Sequence, residues 1–355
     1  MMEVILFLIK KYYLDDKGKL KPQYYFHWKE FKEDGYYFYY FVGVRGAGKT
    51  YDGLKWLNDE RAGILIRRTD PELEIMLEER NNPLNPLILN GDIESGYIKR
   101  TRTKIYNFFT GAPGEEEFMC QGLALNTFAK VRSSDFSFCN NLFWDEFIKQ
   151  PDQQEMKDEG GAWLNMLETI TRNRHHITVV AVANSNDIYN PVFKSLGVVS
   201  HLEKLIVKNQ PGHKIYKDPK RHLKVIMYEP TKEFIEYKKS LGLYDLTAGT
   251  DYAAMAYENQ FVKNDFSDCG YKSIVGYVPL FNLDNYCIWK KKGSNEIYVS
   301  YAQAECVSYY SKYEIDVELL KNKYYMMLRN RYLKRLITFE SYDIKRSLLD
   351  LLRLI

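Results

Sequence analysis

The chain has 355 residues, 45% hydrophobic and 27% charged, a balance that supports a sizeable core and excludes a disordered or low-complexity polymer. Its formal net charge is only +3, so any hold on nucleic acid has to come from local basic patches. Five widely spaced cysteines (Cys120, Cys139, Cys269, Cys287, Cys306) form no CxxC, which argues against a zinc module and for free thiols in a reducing compartment.

The first apolar run, MMEVILFLIKK (1–11), is too short to span a bilayer and has no basic leader or small-residue cleavage site. It reads as a first strand or helix of a cytosolic chain. LDDKGKLKP (14–22) reads as a turn, and HWKEFKEDG (27–35) as a short helix ending at Gly35. The apolar run 36–42 (YYFYYFV) is a buried strand by composition.

GVRGAGKT follows, with Gly43, Gly48, Lys49 and Thr50 at every constrained position of G-x-x-x-x-G-K-[ST]. A helical pattern then runs through Leu54, Trp56 and Leu57. Strand, glycine-rich loop and helix are the context of a P-loop. Its backbone N–H groups and helix N-terminus suit phosphate oxygens. The residues expected at a bound nucleotide are Gly43, Arg45, Gly46, Ala47, Gly48, Lys49, Thr50 and Tyr51. Lys49 reaches the β- and γ-phosphates, and Thr50 ligates magnesium.

GILI (63–66) reads as the next strand, ending in Arg67 and Arg68, and 71–79 as a helix with proline in its first turn. Residues 81–90 read as loop, and 97–125 as short strands. The first of these carries Lys99, Arg100, Arg102 and Lys104 among tyrosines, either a phosphate-backbone contact or a solvated hairpin face.

LFWDE (142–146) is an apolar strand ending in two carboxylates, which reads as a Walker B element. Asp145 is the expected magnesium ligand and Glu146 the general base that polarises water. Residues 161–174 form an amphipathic helix through Trp163, Met166, Leu167 and Ile170. Arg172 falls on the face away from the core and is a candidate arginine finger; Arg174 is the competing position. His175 and His176 are adjacent and would point apart, which speaks against a metal site.

ITVVAVA (177–183) reads as a parallel-sheet strand. Asn184 at its end either senses the γ-phosphate or caps a turn. Residues 202–207 and 224–228 are further strand candidates around the basic turn HKIYKDPKRH. Helical patterns over 231–241 and 252–262 suggest a connector at 231–262, after a P-loop domain at 1–230. The remainder, 263–355, alternates like an antiparallel sheet over 271–301 and is then mainly helical.

Seven stretches together make the chain resemble the DNA-packaging ATPases of phi29-like tailed phages, a terminase-like branch of ring translocases. They are FVGVRGAGKTY (41–51), IRRTDPEL (66–73), FWDEFI (143–148), MLETITRNR (166–174), AVANS (181–185), NPVF (190–193) and GTDYAAMAYENQF (249–261), in the family's order. The resemblance implies an α/β P-loop NTPase of the ASCE/RecA-like type with a mainly parallel sheet. A small α+β C-terminal domain similar to a degenerate RNase H-like nuclease follows. The implied cofactors are ATP and Mg2+. The implied partners are double-stranded DNA, the portal of a prohead and a homopentameric ring of this chain, with a structural RNA left open and no membrane. The implied place is the host cytoplasm, on the prohead portal vertex.

Carried over by position, Gly43 to Thr50 match Walker A, Asp145 and Glu146 match Walker B, and Arg172 matches the arginine finger. Arg132 falls where the family has a second trans-acting base, a lysine; arginine keeps the charge but not the geometry. Asp70 stands where a lysine is expected, so no basic role carries over there. The C-terminal region offers no clear cluster of metal-binding carboxylates, so nuclease activity is not expected. A nucleotide-binding switch or assembly scaffold without net translocation is the alternative reading, and a small-molecule kinase a third.

Overall fold

The computed structural model describes residues 26–150, 153–172, 174, 177–184, 187–208, 210–239, 242–250, 265–305 and 307–352. The expectations for the N-terminal run and its turn, for His175 and His176, for a helix at 252–262 and for Cys306 lie outside these residues. Contacts divide the chain into two compact units: Met1–Leu196 with Gln210–Val262, and Gly197–Asn209 with Lys263–Ile355.

In the first unit the expected helix at 27–35 is a single 3-10 turn, Trp28–Phe31. β1 (Phe38–Gly43) is buried beyond its first residue and delivers the glycine-rich loop. α1 (Lys49–Glu60) starts at the lysine and buries Gly53, Leu54, Trp56 and Leu57. The glycine allows close approach, since a Cβ on Gly53 would lie 2.1 Å from the Phe143 ring. β2 (Gly63–Arg67) follows. The helix expected over 71–79 is shorter, α2 (Asp70–Glu74), and breaks into 3-10 turns where Ile75 and Leu77 face solvent. α3 (Asn85–Leu89) sits in the expected loop. β3 (Ser95–Arg100), β4 (Tyr106–Gly111) and β5 (Glu117–Ala124) form the strand-rich insertion.

β6 (Asn141–Asp145), α4 (Glu159–Thr171), β7 (Thr178–Asn184) and α5 (Pro191–Ser195) complete the central part. The strand expected over 202–207 is a helix, α6 (Val199–Lys208), grouped with the second unit. Its buried residues, Val199, Leu202 and Glu203, recur at three to four positions, which a strand cannot place on one face. β8 (Lys214–Asp218) occupies what reads as a basic turn, because its polar side chains suit a sheet edge. β9 (Leu223–Tyr228), α7 (Lys232–Lys239) and α8 (Gly242–Thr247) follow.

The nine-stranded sheet has the order β3-β4-β5-β2-β6-β7-β1-β9-β8. Its centre, from β5 to β9, is parallel throughout, and antiparallel pairs appear only toward the two edges. This is an α/β fold with a mainly parallel sheet. Gly43 is in register with Asn184, Ile66 with Trp144 and Asp145 with Val182, so the ends of β1, β2, β6 and β7 meet at one edge. Open parallel sheets bind ligands at that edge.

In the second unit β10 (Tyr277–Leu283), β11 (Tyr286–Lys291) and β12 (Ile297–Ser300) form the antiparallel meander expected over 271–301. β13 (Tyr309–Tyr310) pairs parallel with β10. After α9 (Glu314–Leu333), β14 (Ile337–Phe339) pairs parallel with β12. α10 (Tyr342–Leu352) closes the described chain, and Phe281, Ile288, Val299, Leu320, Phe339 and Leu348 share the core. No helix among the described residues is long and apolar enough to cross a membrane.

Candidate functional site

The loop after β1 turns into α1 through Gly46 (φ 77°) and Gly48 (φ 84°), left-handed conformations that disfavour any side chain. Gly43 and Ala47 brace the loop from behind. A Cβ on Gly43 would lie 3.1 Å from the Tyr228 carbonyl oxygen, and the Ala47 carbonyl accepts from the Phe26 N–H at 2.8 Å. Arg45, Gly46, Gly48, Lys49, Thr50 and Tyr51 line a cavity of about 450 Å³, together with Asp145, Glu146 and Asn184.

Lys49 is 7% exposed. Its Nζ donates to the carbonyls of Gly43 (3.2 Å) and Val44 (2.6 Å) and to Asn184 Oδ1 (3.2 Å). All three acceptors are neutral. Burial pulls the ammonium down to about 8, while Asp145 and Glu146 oppose the shift and Arg45 and Lys238 add to it. Asn184 therefore orients the lysine across the sheet edge, a third role beside sensing and capping.

Thr50 Oγ1 lies 3.0 and 3.1 Å from the two oxygens of Asp145. A hydroxyl next to a carboxylate is the donor set of a magnesium site beside phosphates. The loop, the lysine held by neutral oxygens and this pair together fit a magnesium-bound nucleoside triphosphate. Glu146 follows with φ 56°, a left-handed conformation of the kind found at functional sites. Burial raises its carboxyl above the usual range, against the pull of Arg67.

Sequence reasoning missed Arg67. Its Nη1 donates to Asp145 Oδ2 at 2.6 Å, its Nη2 to Glu146 Oε2 at 2.9 Å and its Nε to Glu72 Oε2 at 3.3 Å. The available signal was an arginine at the C-terminal end of an apolar strand. Its meaning needs the strand order, which sets β2 beside β6. Pro83 and Pro86 were also missed. They line the cavity with Tyr51 and Leu54 and give it an apolar component. The Tyr51 hydroxyl and the Lys55 ammonium both donate to the Asp92 carboxylate.

The structure keeps Arg172 and Arg132 outside this cavity. α4 ends at Thr171, three residues before the expected stop, and Arg172 caps it with φ 44°. Its N–H donates to Glu168 O at 2.8 Å and the residue is exposed. Arg132 is exposed after the 3-10 stretch Leu125–Val131. Arg174 turns inward and donates to the carbonyls of Phe136 (2.9 Å), Ser137 (3.0 Å), Cys139 and Ile170. That is a structural task, which leaves Arg172 as the accessible member of the pair.

The basic hairpin is largely engaged. Arg100 donates to Glu74 at 2.8 Å, Lys104 pairs with Asp70, and Lys99 sits 4.9 Å over the Tyr97 ring. Burial raises the Asp70 carboxyl, but hydrogen bonds from Lys104 and Tyr106 prevail and hold it below its usual range. The expected lysine position is thus an acid that anchors Lys104 and lies 3.9 Å from the Arg100 guanidinium.

Similar proteins agree with this architecture. The DNA packaging protein of Bacillus phage B103 is 24% identical over 229 residues, covering 63% of this chain and 64% of the relative. That of Bacillus phage phi29 is 22% identical over 227 residues, covering 62% of this chain and 61% of the relative. The match therefore spans less than two thirds of either relative's length. Among solved structures, a chain of the bacteriophage Phi-29 viral genome packaging motor assembly superposes with a TM-score of 0.61 at 17% identity, covering 93% of this chain and 99% of that chain. The Phi-28 gp11 DNA packaging motor gives 0.59 at 18% identity, covering 93% and 98%. These likenesses establish a shared fold. A family model described as Podovirus DNA encapsidation protein (Gp16) matches residues 21–341, and the chain belongs to that family.

Proposed function

We propose that the chain is an ATP-driven double-stranded DNA translocase that packages a viral genome into a prohead. ATP is hydrolysed at the subunit boundaries of a homopentameric ring seated on the portal in the host cytoplasm. The observation that carries this reading is the convergence of Lys49, Thr50, Asp145 and Glu146 on one cavity, in a chain of an encapsidation family.

Bound magnesium-ATP supplies the phosphoanhydride whose hydrolysis drives movement. Lys49 meets the phosphate oxygens with a charge that its present acceptors, all neutral, leave uncompensated. Thr50 and Asp145 would hold the metal. Glu146 takes a proton from the attacking water at its carboxylate, and burial, which raises that carboxyl above its usual range, strengthens it as a base. Arg67 holds Glu146 in place and offsets its charge.

Arg172 reaches the neighbouring subunit's site and stabilises charge in the transition state, an effect of about 10³- to 10⁵-fold for arginine fingers. Arg132 is proposed as a second cation acting across the same boundary. DNA is held mainly through its phosphates, without sequence preference.

The test is ATP turnover by the assembled ring with and without double-stranded DNA. Duplex DNA is expected to stimulate hydrolysis regardless of sequence, with apparent affinity falling steeply with salt. Turnover that DNA leaves unchanged would move the reading to a nucleotide switch or scaffold.

A further inference from the structure

β9 lies parallel beside β1, with Tyr228 in register with Gly43, so the chain leaves the sheet next to the phosphate loop. α7 starts there and is capped by Thr231, whose Oγ1 accepts from the Phe234 N–H at 3.2 Å. Phe234 is buried in the same core cluster as Phe41, Val44 and Ala47. That contact fixes the rotation of α7. Lys238, four residues on, shares the face of Phe234, and its ammonium lies 5.4 Å from the Phe234 ring centre.

Lys238 thereby reaches the crest of the loop. A Cβ built on Gly46 would lie 2.7 Å from Lys238 Nζ. Among the described residues Lys238 makes no ion pair. Loss of water lowers its pKa, and the repulsion of Arg45 adds to that. The acidic pair of the cavity, Asp145 and Glu146, is already engaged by Arg67. A cation placed beside a second one and shielded from water is costly, and an anion between them relieves that cost. Arg45, Lys49 and Lys238 together surround the loop with positive charge.

We infer that Lys238 is a third cation for the terminal phosphate, supplied by the same chain, so that a triphosphate draws α7 onto the phosphate loop more strongly than a diphosphate. The inference rests on the nucleotide reading of that loop. It makes the first helix of the connector responsive to the nucleotide state.

The experiment uses the full chain and compares wild type, Lys238→Met and Lys238→Arg. Affinities for a non-hydrolysable ATP analogue and for ADP are measured by titration, and amide hydrogen exchange is followed over 232–239. In wild type the triphosphate slows exchange there more than ADP does. Lys238→Met loses that difference and weakens triphosphate binding about tenfold, within the usual span of coupling energies, while ADP binding changes little. Lys238→Arg restores most of both, which also separates the effect from misfolding. Unchanged ATP-to-ADP discrimination and unchanged exchange in Lys238→Met would overturn the inference alone. A wild-type chain that binds neither nucleotide would overturn the nucleotide reading and the inference with it.

Discussion

Arg67 and Glu146 meet at the edge of the sheet, Nη2 to Oε2 at 2.9 Å, while the same guanidinium holds Asp145 at 2.6 Å and Glu72 at 3.3 Å. One planar fork therefore answers three carboxylates, two at the end of β6 and one from α2. Arg67→Ala leaves them facing one another in a partly dry site, at a cost of about 3–5 kcal/mol. Glu146 then loses the charge that lowers its pKa, so the acid limb of the ATPase pH profile moves to higher pH. Urea unfolding and a pH–rate series check both. Wild-type stability with an unmoved limb would contradict the role given to Arg67.

Lys49 carries a pH signature. Its pKa in the fold is about 8, below the ordinary 10.5, so between these values the native chain binds fewer protons than the unfolded one. Stability of the nucleotide-free chain from this group therefore rises with pH across that window. Affinity for polyphosphate runs the other way and falls as the ammonium deprotonates. Lys49→Met is expected to flatten both trends and to abolish tight nucleotide binding, as read by titration at several pH values.

The two arginines after α4 separate by assay. Arg174→Ala strips four carbonyls of a charged donor and is expected to cost about 2–3 kcal/mol in thermal or urea unfolding. Arg172→Ala removes an exposed side chain and is expected to leave stability within about 0.5 kcal/mol. If Arg172 acts across subunits, only its loss abolishes turnover at unchanged stability.

In the second unit Glu203 Oε2 accepts the Tyr342 N–H at 2.8 Å, and burial raises its carboxyl to about 7. Between its ordinary 4.5 and 7 the native state holds the proton and the unfolded state does not, so stability from this group falls as pH rises. Glu203→Gln keeps an acceptor for Tyr342 without the charge. It should flatten the slope and stabilise the chain at pH 8 by on the order of 1 to 2 kcal/mol, after allowance for solvent screening.

Local chemistry made much of the site legible. Gly46, Gly48, Lys49 and Thr50 announce a phosphate loop because backbone freedom, a cation and a hydroxyl are needed at fixed spacing. Asp145 and Glu146 announce themselves as paired acids at the end of a buried strand. Arg67, Pro83 and Lys238 were illegible for a common reason: each acts through an element far away in sequence, and only strand order or helix docking brings it in. α6 was misread because HLEKLIV has too few apolar positions to separate a period of two from one near four. β8 was misread because an edge strand carries the polar residues of a turn.

In the proposed ring, Glu146 and Arg172 serve one active site from two chains. Steady-state ATP hydrolysis by Glu146→Gln, by Arg172→Ala and by their equimolar mixture tests it most directly, in rings confirmed by sedimentation and shown to exchange subunits. Each variant alone should be inactive, and the mixture should recover part of the wild-type rate, because some boundaries then pair an intact glutamate with an intact arginine. A mixture that stays inactive while subunits exchange would contradict the claim and return the arginine to a role within its own chain.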